Sequence, residues 1–378
     1  MQHWHNKETK SSPHQRVRIL LRKTRRIMKV IHISDVHLGV RPDAGKPWSE
    51  RRAQEIWDSF AGVIKTAAKE KVDFLLISGD LFHKQPLKRE LKEVFGLFQK
   101  IPDTRVIMMA GNHDYIQQNS YYRTSDFPDN VYFFPREEIT CFDFPEQNVT
   151  VYGLSYWQRE IKQPLYDEVR PQNKSRVNVL LAHGGDEKHI PFSAEKILKN
   201  GFDYVAAGHI HKAGYLAGKR AVMAGALEPT DCGDIGPHGY WMIDMDKEHC
   251  ETAFFSIKNC EYCHEIIRVT PGTTEYDLYS EIRELAASQP AYRYFCLTLQ
   301  GRVDPDLKID LEKIEKEDRI VSVTESLVPD YNYEKLYEEH ENALLGAYIL
   351  EMQKKADPIA AKALEYGVEA LLGNQICR

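Results

Sequence analysis

The 378-residue sequence lacks the features that mark several classes of protein. It has no apolar run near the length that crosses a bilayer, so we expect no membrane span. It has no signal-peptide pattern, and its seven cysteines suggest no disulfide framework, which together favour a reducing cytoplasm. The segment Cys260-x-x-Cys263-His264 matches the attachment pattern of c-type haem, but haem attachment would require export. A structural zinc site that joins this segment to His249 and Cys250 stays open beside the simpler interpretation of cysteines packed in a strand.

The sequence also lacks a nucleotide-binding P-loop. The nearest stretch, GVRPDAGKP from Gly39, has one residue too many between its glycines and has Pro47 where Ser or Thr is needed. If the function of this protein depends on ATP hydrolysis, a partner protein must hydrolyse the ATP.

An excess of positive charge is missing as well, since the net charge is −6. Residues 1–28 contain eight Lys or Arg and one acidic residue, a net charge of +7, which leaves −13 for the rest of the chain. We interpret residues 1–28 as a disordered basic leader and expect the biological chain to begin at Met28. An acidic body weakens the case for nucleic-acid binding, because phosphate contacts need Lys and Arg. Seven basic residues near the motifs described below offer a local basic rim: Arg41, Arg51, Arg52, Lys84, Lys88, Arg89 and Arg123.

The hydrophobic pattern predicts a layered α/β protein with a smaller second domain. Over residues 29–258, short apolar runs alternate with amphipathic helical patterns, one of them beginning near Ser49 as its expected N-cap. This alternation predicts β-sheets covered by helices. Residues 259–332 have the pattern of a small α+β domain, and residues 333–378 that of a helical tail with an apolar stripe.

Polar residues follow five of the apolar runs, at the point where each predicted strand ends. They are Asp35 and His37 after VIHIS, Asp80 after FLLIS, Asn112 and His113 after VIMMA, His183 after NVLLA, and His209 and His211 after YVAA. In open α/β sheets, binding sites form at the carboxyl ends of strands, so these five ends can converge on one site.

The residue types at these strand ends indicate a metal centre. Carboxylate or amide oxygen together with imidazole nitrogen suits Mn, Fe or Zn, and the lack of thiolate argues against a closed structural zinc site. Seven such residues are too many for one ion and suitable for two, if one carboxylate bridges. Two cations about 3.5 to 4 Å apart serve in-line displacement at phosphorus, so the pattern predicts hydrolysis of a phosphate ester.

The order of the motifs over Asp35 to His211 resembles that of the calcineurin-like metallophosphoesterases: D-x-H, G-D-x-x, G-N-H-D, H-G and G-H-x-H. This resemblance implies two divalent ions, with Mn²⁺ the first expectation and Fe or Zn the alternatives. It implies that one ion binds Asp35, His37 and His211, that the other binds Asn112, His183 and His209, and that Asp80 bridges them. It also implies that His113 faces the leaving oxygen as general acid or charge stabiliser, with Asp114 fixing its tautomer.

Within that superfamily, HISDVHLG and ISGDLFH resemble the opening motifs of the nuclease subunit of SbcCD-type repair complexes, with similarity also to YhaO-type exonucleases. The resemblance places His83 beside the scissile phosphate. It implies a DNA exonuclease, with endonuclease activity as a further option, that acts in repair or recombination as a homodimer. It also implies that residues 259–332 cap the DNA side and that an SMC-like (SbcC-type) ATPase binds the helical tail.

Two other functions remain open at this point. A phosphodiesterase or phosphatase for small molecules, such as a cyclic nucleotide or nucleotide-sugar hydrolase, would use the same metals in a closed pocket. A scaffold that binds a protein without catalysis would commonly lose ligands or His113, whereas all of them are present here.

Overall fold

A computed structural model describes residues 27–355 and 357–373, so nearly all of the basic leader predicted for residues 1–28 lies outside the described residues. The chain divides into two compact units, the first ending at Glu261 and the second beginning at Tyr262. No described helix is both long and apolar enough to cross a membrane.

The first unit contains two mixed sheets. Its strands are β1 (Met28–Ile33), β2 (Phe74–Ser78), β3 (Arg105–Met109), β4 (Val131–Phe133), β5 (Thr140–Phe144), β6 (Val149–Gly153), β7 (Val177–His183), β8 (Tyr204–Gly208), β9 (Gly214–Tyr215), β10 (Ala221–Met223), β11 (His238–Met245) and β12 (Cys250–Ile257). In the described chain, the first sheet has the order β12-β11-β1-β2-β3-β4 and the second the order β5-β6-β7-β8-β10-β9.

Helices and sheets of the first unit pack in layers. The helices are α1 (Ser49–Glu70), α2 (Lys88–Phe98) and α3 (Ala194–Asn200). The apolar face of α1, including Ile56 and Phe60, packs with alternate residues of β1 and β2 such as Ile33. Val30, on the opposite face of β1, belongs to a second core shared with the second sheet, including Val179 of β7. The predicted α/β architecture of sheets covered by helices is therefore confirmed.

Parallel pairing brings the predicted site residues to common edges of the two sheets. β1, β2 and β3 run parallel to one another, as do β6, β7 and β8. The strands β1, β2, β3 and β8 end one to three residues before the first predicted ligand that follows each, and His183 is the last residue of β7. Positive φ occurs at Asp35, His37, Asp80 and His209, at 49°, 52°, 49° and 98°. Non-glycine residues rarely adopt this region, which concentrates at functional sites. The chain thus turns sharply after β1, β2 and β8.

The second unit contains a sheet of three described strands and a set of helices. The strands are β13 (Glu261–Val269), β14 (Arg293–Val303) and β15 (Ile320–Pro329), in that order in the sheet. The helices are α4 (Glu275–Ser288), α5 (Leu311–Ile314), α6 (Tyr333–Glu339), α7 (Leu344–Gln353) and α8 (Pro358–Leu372). Ile282 of α4 and Leu297 of β14 share one core, whereas Ile349 of α7 and Val368 of α8 share another.

Candidate metal centre

A first group of potential ligands consists of Asp35, His37 and His211. One ligand atom from each lies within 4.8 Å of the others. The Nε2 atoms of His37 and His211 face each other at 3.1 Å. Asp35 Oδ1 is buried and has no hydrogen-bond partner among the described residues, which is costly for a carboxylate oxygen unless a cation compensates. We call these three residues the first ligand group.

A second ligand group consists of Asp80, Asn112, His183 and His209. Asn112 Oδ1 lies 2.9 Å from His183 Nε2 and 3.0 Å from His209 Nδ1. Asp80 Oδ2 lies 3.3 Å from the same His183 nitrogen. Two ring nitrogens and two oxygens therefore converge from the carboxyl ends of four strands.

External hydrogen bonds fix how two of the histidines are oriented. His183 Nδ1 donates to the backbone carbonyl of Ser78 at 2.8 Å, which leaves the Nε2 lone pair for the second ligand group. His211 Nδ1 donates to the Asp234 carboxylate at 2.9 Å, which leaves its Nε2 for the first. Burial would lower the pKa of His211, but the Asp234 hydrogen bond and the Asp35 charge outweigh it and raise that pKa to about 9. These acidic neighbours therefore favour positive charge at His211.

These observations fit two divalent cations. The atoms that converge are oxygen and imidazole nitrogen without thiolate, as Mn, Fe and Zn accept. Bound cations would polarise a phosphate ester and lower the pKa of a bound water. Burial would raise the pKa of Asp80, but His183 and His37 hold it well below its usual range, so this carboxylate is ionised. Its role as the bridge between the ions stays a prediction.

His83 and His113 lie beside the first ligand group. The ring centroid of His113 is 4.8 Å from that of His37 and 5.4 Å from that of His83. His113 Nδ1 donates to the backbone carbonyl of His83 at 3.2 Å, so its Nε2 is the atom left to exchange a proton with substrate. The structure thus brings both predicted catalytic histidines to the ligand groups.

Asp114 does not contact the His113 ring in the way expected from the sequence. Its carboxylate accepts hydrogen bonds from the backbone of Gly111 at 2.8 Å and Phe82 at 3.2 Å, and from the hydroxyl of Tyr122 at 2.8 Å. The His83 carbonyl sets the His113 tautomer instead. Burial, reinforced by the Asp80 charge, raises the pKa of Asp114 to about 7. Asp114 therefore joins the GNHD loop to the loop after β2.

Three residues that the sequence motifs did not identify also border the site. Asp186 and His189 lie in the loop after β7, and the Asp186 carboxylate is 2.9 Å from His209 Nε2. Asp234 contacts His211 from the loop before β11. The signal for Asp186 and Asp234 was that each is an acidic residue in a loop next to a motif, in HGGD and EPTDCGD, and His189 had no such signal. Among the described residues, no group with metal-ligand geometry includes a cysteine, so the zinc alternative at Cys260 and Cys263 gains no support.

Comparison with known proteins agrees with this geometry. Residues 28–213 match the protein family described as calcineurin-like phosphoesterase. The chain is 27% identical over 236 residues to the metallophosphoesterase YhaO of Bacillus subtilis, covering 57% of each chain. It is 29% identical over 203 residues to the DNA double-strand break repair protein Mre11 of Sulfurisphaera tokodaii, covering 48% of this chain and 49% of that one. For the protein of the same name from Saccharolobus solfataricus the identity is 28% over 199 residues, covering 49% of this chain and 50% of that one. The chain spans about half the length of the curated relatives it matches.

Proposed function

We propose that this chain is a metal-dependent phosphoesterase and that it acts as a DNA nuclease in repair or recombination, because residues 28–213 match the calcineurin-like phosphoesterase family. The observation that carries the proposal is the pair of ligand groups with His83 and His113 beside them. We assign exonuclease activity, with endonuclease activity as a further option, and two Mn²⁺ ions in preference to Fe or Zn.

Each residue beside the ligand groups has a chemical role in this proposal. His113 Nε2 donates a proton to the leaving oxygen, or stabilises its charge, while the His83 carbonyl keeps the ring oriented. The half-buried His83 ring lies 5.5 Å from that of His37 and contacts the scissile phosphate. Asp80 would supply negative charge to the bound ions. Burial lowers the pKa of His83, so this ring is neutral near pH 7 and acts by hydrogen bonding.

The choice of DNA as substrate is supported by two considerations. The Mre11 relatives are named for double-strand break repair, although the chain spans only about half of their length. In addition, Lys84, Lys88 and Arg89 are exposed in the segment after β2, which also contains His83. The basic rim expected from the sequence is otherwise reduced, because Arg52 is fully buried and Arg41 pairs with Glu50.

The experiment that tests the function compares two substrates. Linear end-labelled DNA and a chromogenic phosphodiester are incubated with Mn²⁺ and either the wild type or His113→Ala. We expect the wild type to degrade DNA and the variant to lose this activity while remaining folded. Hydrolysis of the small diester with DNA untouched, also with the ATPase partner added, would contradict the nuclease and favour the small-molecule phosphodiesterase. If His113→Ala cleaves neither substrate but still supports the role of the protein in the cell, the alternative of a scaffold without catalysis is favoured.

The proposal includes partners and a location. We propose that an SMC-like (SbcC-type) ATPase binds the helices α6 to α8, where Leu344 and Ile359 expose apolar side chains. The predicted apolar stripe is divided in the structure, since Ile349 is buried within this helical set whereas Leu344 is 72% exposed. Co-purification of the ATPase with the wild type but not with Leu344→Glu/Ile359→Glu would support this. We also propose that the protein is a homodimer and that it is located in the cytoplasm. Light scattering of the purified chain measures whether it is a dimer.

A further inference from the structure

The loop that follows β7 presents a carboxylate to a residue of the second ligand group. After His183, Gly184 and Gly185 have φ of 138° and 121°, and the chain turns back so that Gly185 N donates to the carbonyl of His189 at 2.8 Å. A side chain at Gly184 would collide with that same carbonyl oxygen. The tight turn brings Asp186 against His209.

The two oxygens of Asp186 have different partners. Oδ1 accepts hydrogen bonds from the backbone N–H groups of Lys188 at 2.8 Å and His189 at 2.9 Å. Oδ2 lies 2.9 Å from His209 Nε2, and both oxygens lie 2.9 Å from His189 Nδ1. The backbone therefore holds one oxygen in place, and this fixes the direction of the other toward His209.

This contact determines which nitrogen of His209 can bind a cation. An ionised carboxylate only accepts hydrogen bonds, so His209 Nε2 must carry the proton. The lone pair then lies on Nδ1, which faces Asn112 Oδ1 at 3.0 Å within the second ligand group. We propose that Asp186 is a positioning residue of the metal centre, holding His209 in the tautomer and ring orientation that the second ion requires. This inference rests on the two-ion centre of the proposed function.

The substitution Asp186→Asn tests this tautomer directly. Because the backbone donors of Lys188 and His189 retain the amide oxygen, the amide nitrogen must face His209 Nε2. A donor at that position favours a lone pair on Nε2 and a proton on Nδ1, which blocks binding of a cation there. Loss of such an outer contact typically weakens metal affinity by about 10- to 100-fold.

The measurement is a Mn²⁺ titration of the full chain without DNA, with free Mn²⁺ followed by electron paramagnetic resonance. We expect the wild type to bind two ions, and Asp186→Asn to bind one of them about 10- to 100-fold more weakly and the other within about twofold. Glu187→Gln is the matched control, because it removes the same charge from the exposed neighbouring residue and should leave both affinities within about twofold. An Asp186→Asn variant that binds both ions as tightly as the wild type would overturn the inference.

Two further variants distinguish the positioning role from misfolding and from a separate metal site. If Asp186→Asn does not fold, Asp186→Ser retains a short hydroxyl that can accept from the backbone but cannot reach His209, and the same selective loss is expected. If the wild type binds a third ion that both Asp186→Asn and His189→Ala lose, Asp186 and His189 are ligands of a separate site and the positioning role is wrong. A wild type that binds two ions yet leaves DNA intact, also with the ATPase partner added, would refute the nuclease without affecting this inference. In the metal-free protein, ¹⁵N NMR should show the His209 proton on Nε2 in the wild type and on Nδ1 in Asp186→Asn.

Discussion

At the scale of single residues, Asp80 and His113 are joined by one hydrogen bond but have separable roles. The bond runs from the backbone N–H of His113 to Asp80 Oδ1 at 2.8 Å, so truncation of the histidine ring leaves it intact. We expect Asp80→Ala to lose at least one ion, because it removes a carboxylate that lies beside His183. We expect His113→Ala to keep both ions and to lose turnover by about 100-fold or more. Metal analysis of the purified variants together with rates on a chromogenic diester checks both, and full occupancy in Asp80→Ala would contradict the bridging assignment.

Tyr122 provides a second test at this scale, of the role that the structure gives Asp114. Its hydroxyl donates one of the three hydrogen bonds that the buried Asp114 carboxylate accepts. Tyr122→Phe leaves that carboxylate less well satisfied, and we expect it to lower the free energy of unfolding by about 1 to 3 kcal/mol. Urea unfolding measures this change, with Tyr121→Phe as control because the neighbouring ring is 41% exposed. Equal stability of the two variants would show that the hydroxyl does not support the GNHD loop.

At the scale of elements, Arg52 links α1 to the loop before β11. Its side chain is fully buried and donates to Glu55 at 2.7 Å and to the carbonyl of Pro229 at 3.1 Å, with Glu228 at 3.8 Å. Removing one member of a buried ionic group leaves the others poorly compensated. We expect Arg52→Ala to lower the free energy of unfolding by about 3 kcal/mol or more.

The adjacent arginine is the matched control for this prediction. Arg51 is 59% exposed and pairs with Glu55 at 3.4 Å, so Arg51→Ala should change the free energy of unfolding by about 0.5 kcal/mol or less. Chemical denaturation of both variants gives the comparison. Similar changes in the two variants would mean that the buried contacts of Arg52 stabilise the fold no more than the exposed ion pair of Arg51 does.

The same elements show what the sequence could and could not predict. Asp35, Asp80 and Asn112 were predictable because an apolar run identifies a buried strand and parallel strands end at one edge. The burial of Arg52 also had a signal in the sequence, since residue 52 lies on the same helical stripe as Ile56 and Phe60. Ser49 was wrong as an N-cap: it is the first helical residue, and its hydroxyl donates to the carbonyl of Pro42.

Such sequence patterns could not predict the contacts of carboxylates in loops. The family resemblance implied that Asp114 contacts His113, yet its partners Phe82 and Tyr122 come from other segments of the chain. Asp186 reaches His209 only because a turn through two glycines folds the chain back. Loops have no hydrophobic periodicity, so contacts of this kind are set by tertiary structure.

At the scale of the whole molecule, the acidic composition constrains how DNA would bind. The chain carries a net charge of −6, so long-range attraction to DNA is weak, and any basic contact must be local. Lys88 and Arg89 begin α2, which follows β2 after the loop that contains Asp80 and His83. Lys69 lies in the last turn of α1, which leads into the opposite end of β2. The two positions therefore differ in distance from the site while both are exposed.

This difference gives a prediction about salt dependence. If DNA phosphates contact the start of α2, removing each basic residue there reduces the number of counterions released on binding. The slope of log affinity against log salt concentration should then become shallower by about 1 for each of Lys88→Ala and Arg89→Ala, and should not change in Lys69→Ala. Fluorescence anisotropy with labelled DNA in Mn²⁺, between about 50 and 200 mM salt, measures these slopes.

Hydrolysis of the chromogenic diester should persist in all three variants, because that substrate is too small to reach α2. Equal slopes in the four proteins would place the DNA contacts elsewhere, and a loss of diester hydrolysis in Lys88→Ala would show that the substitution disturbs the metal centre itself.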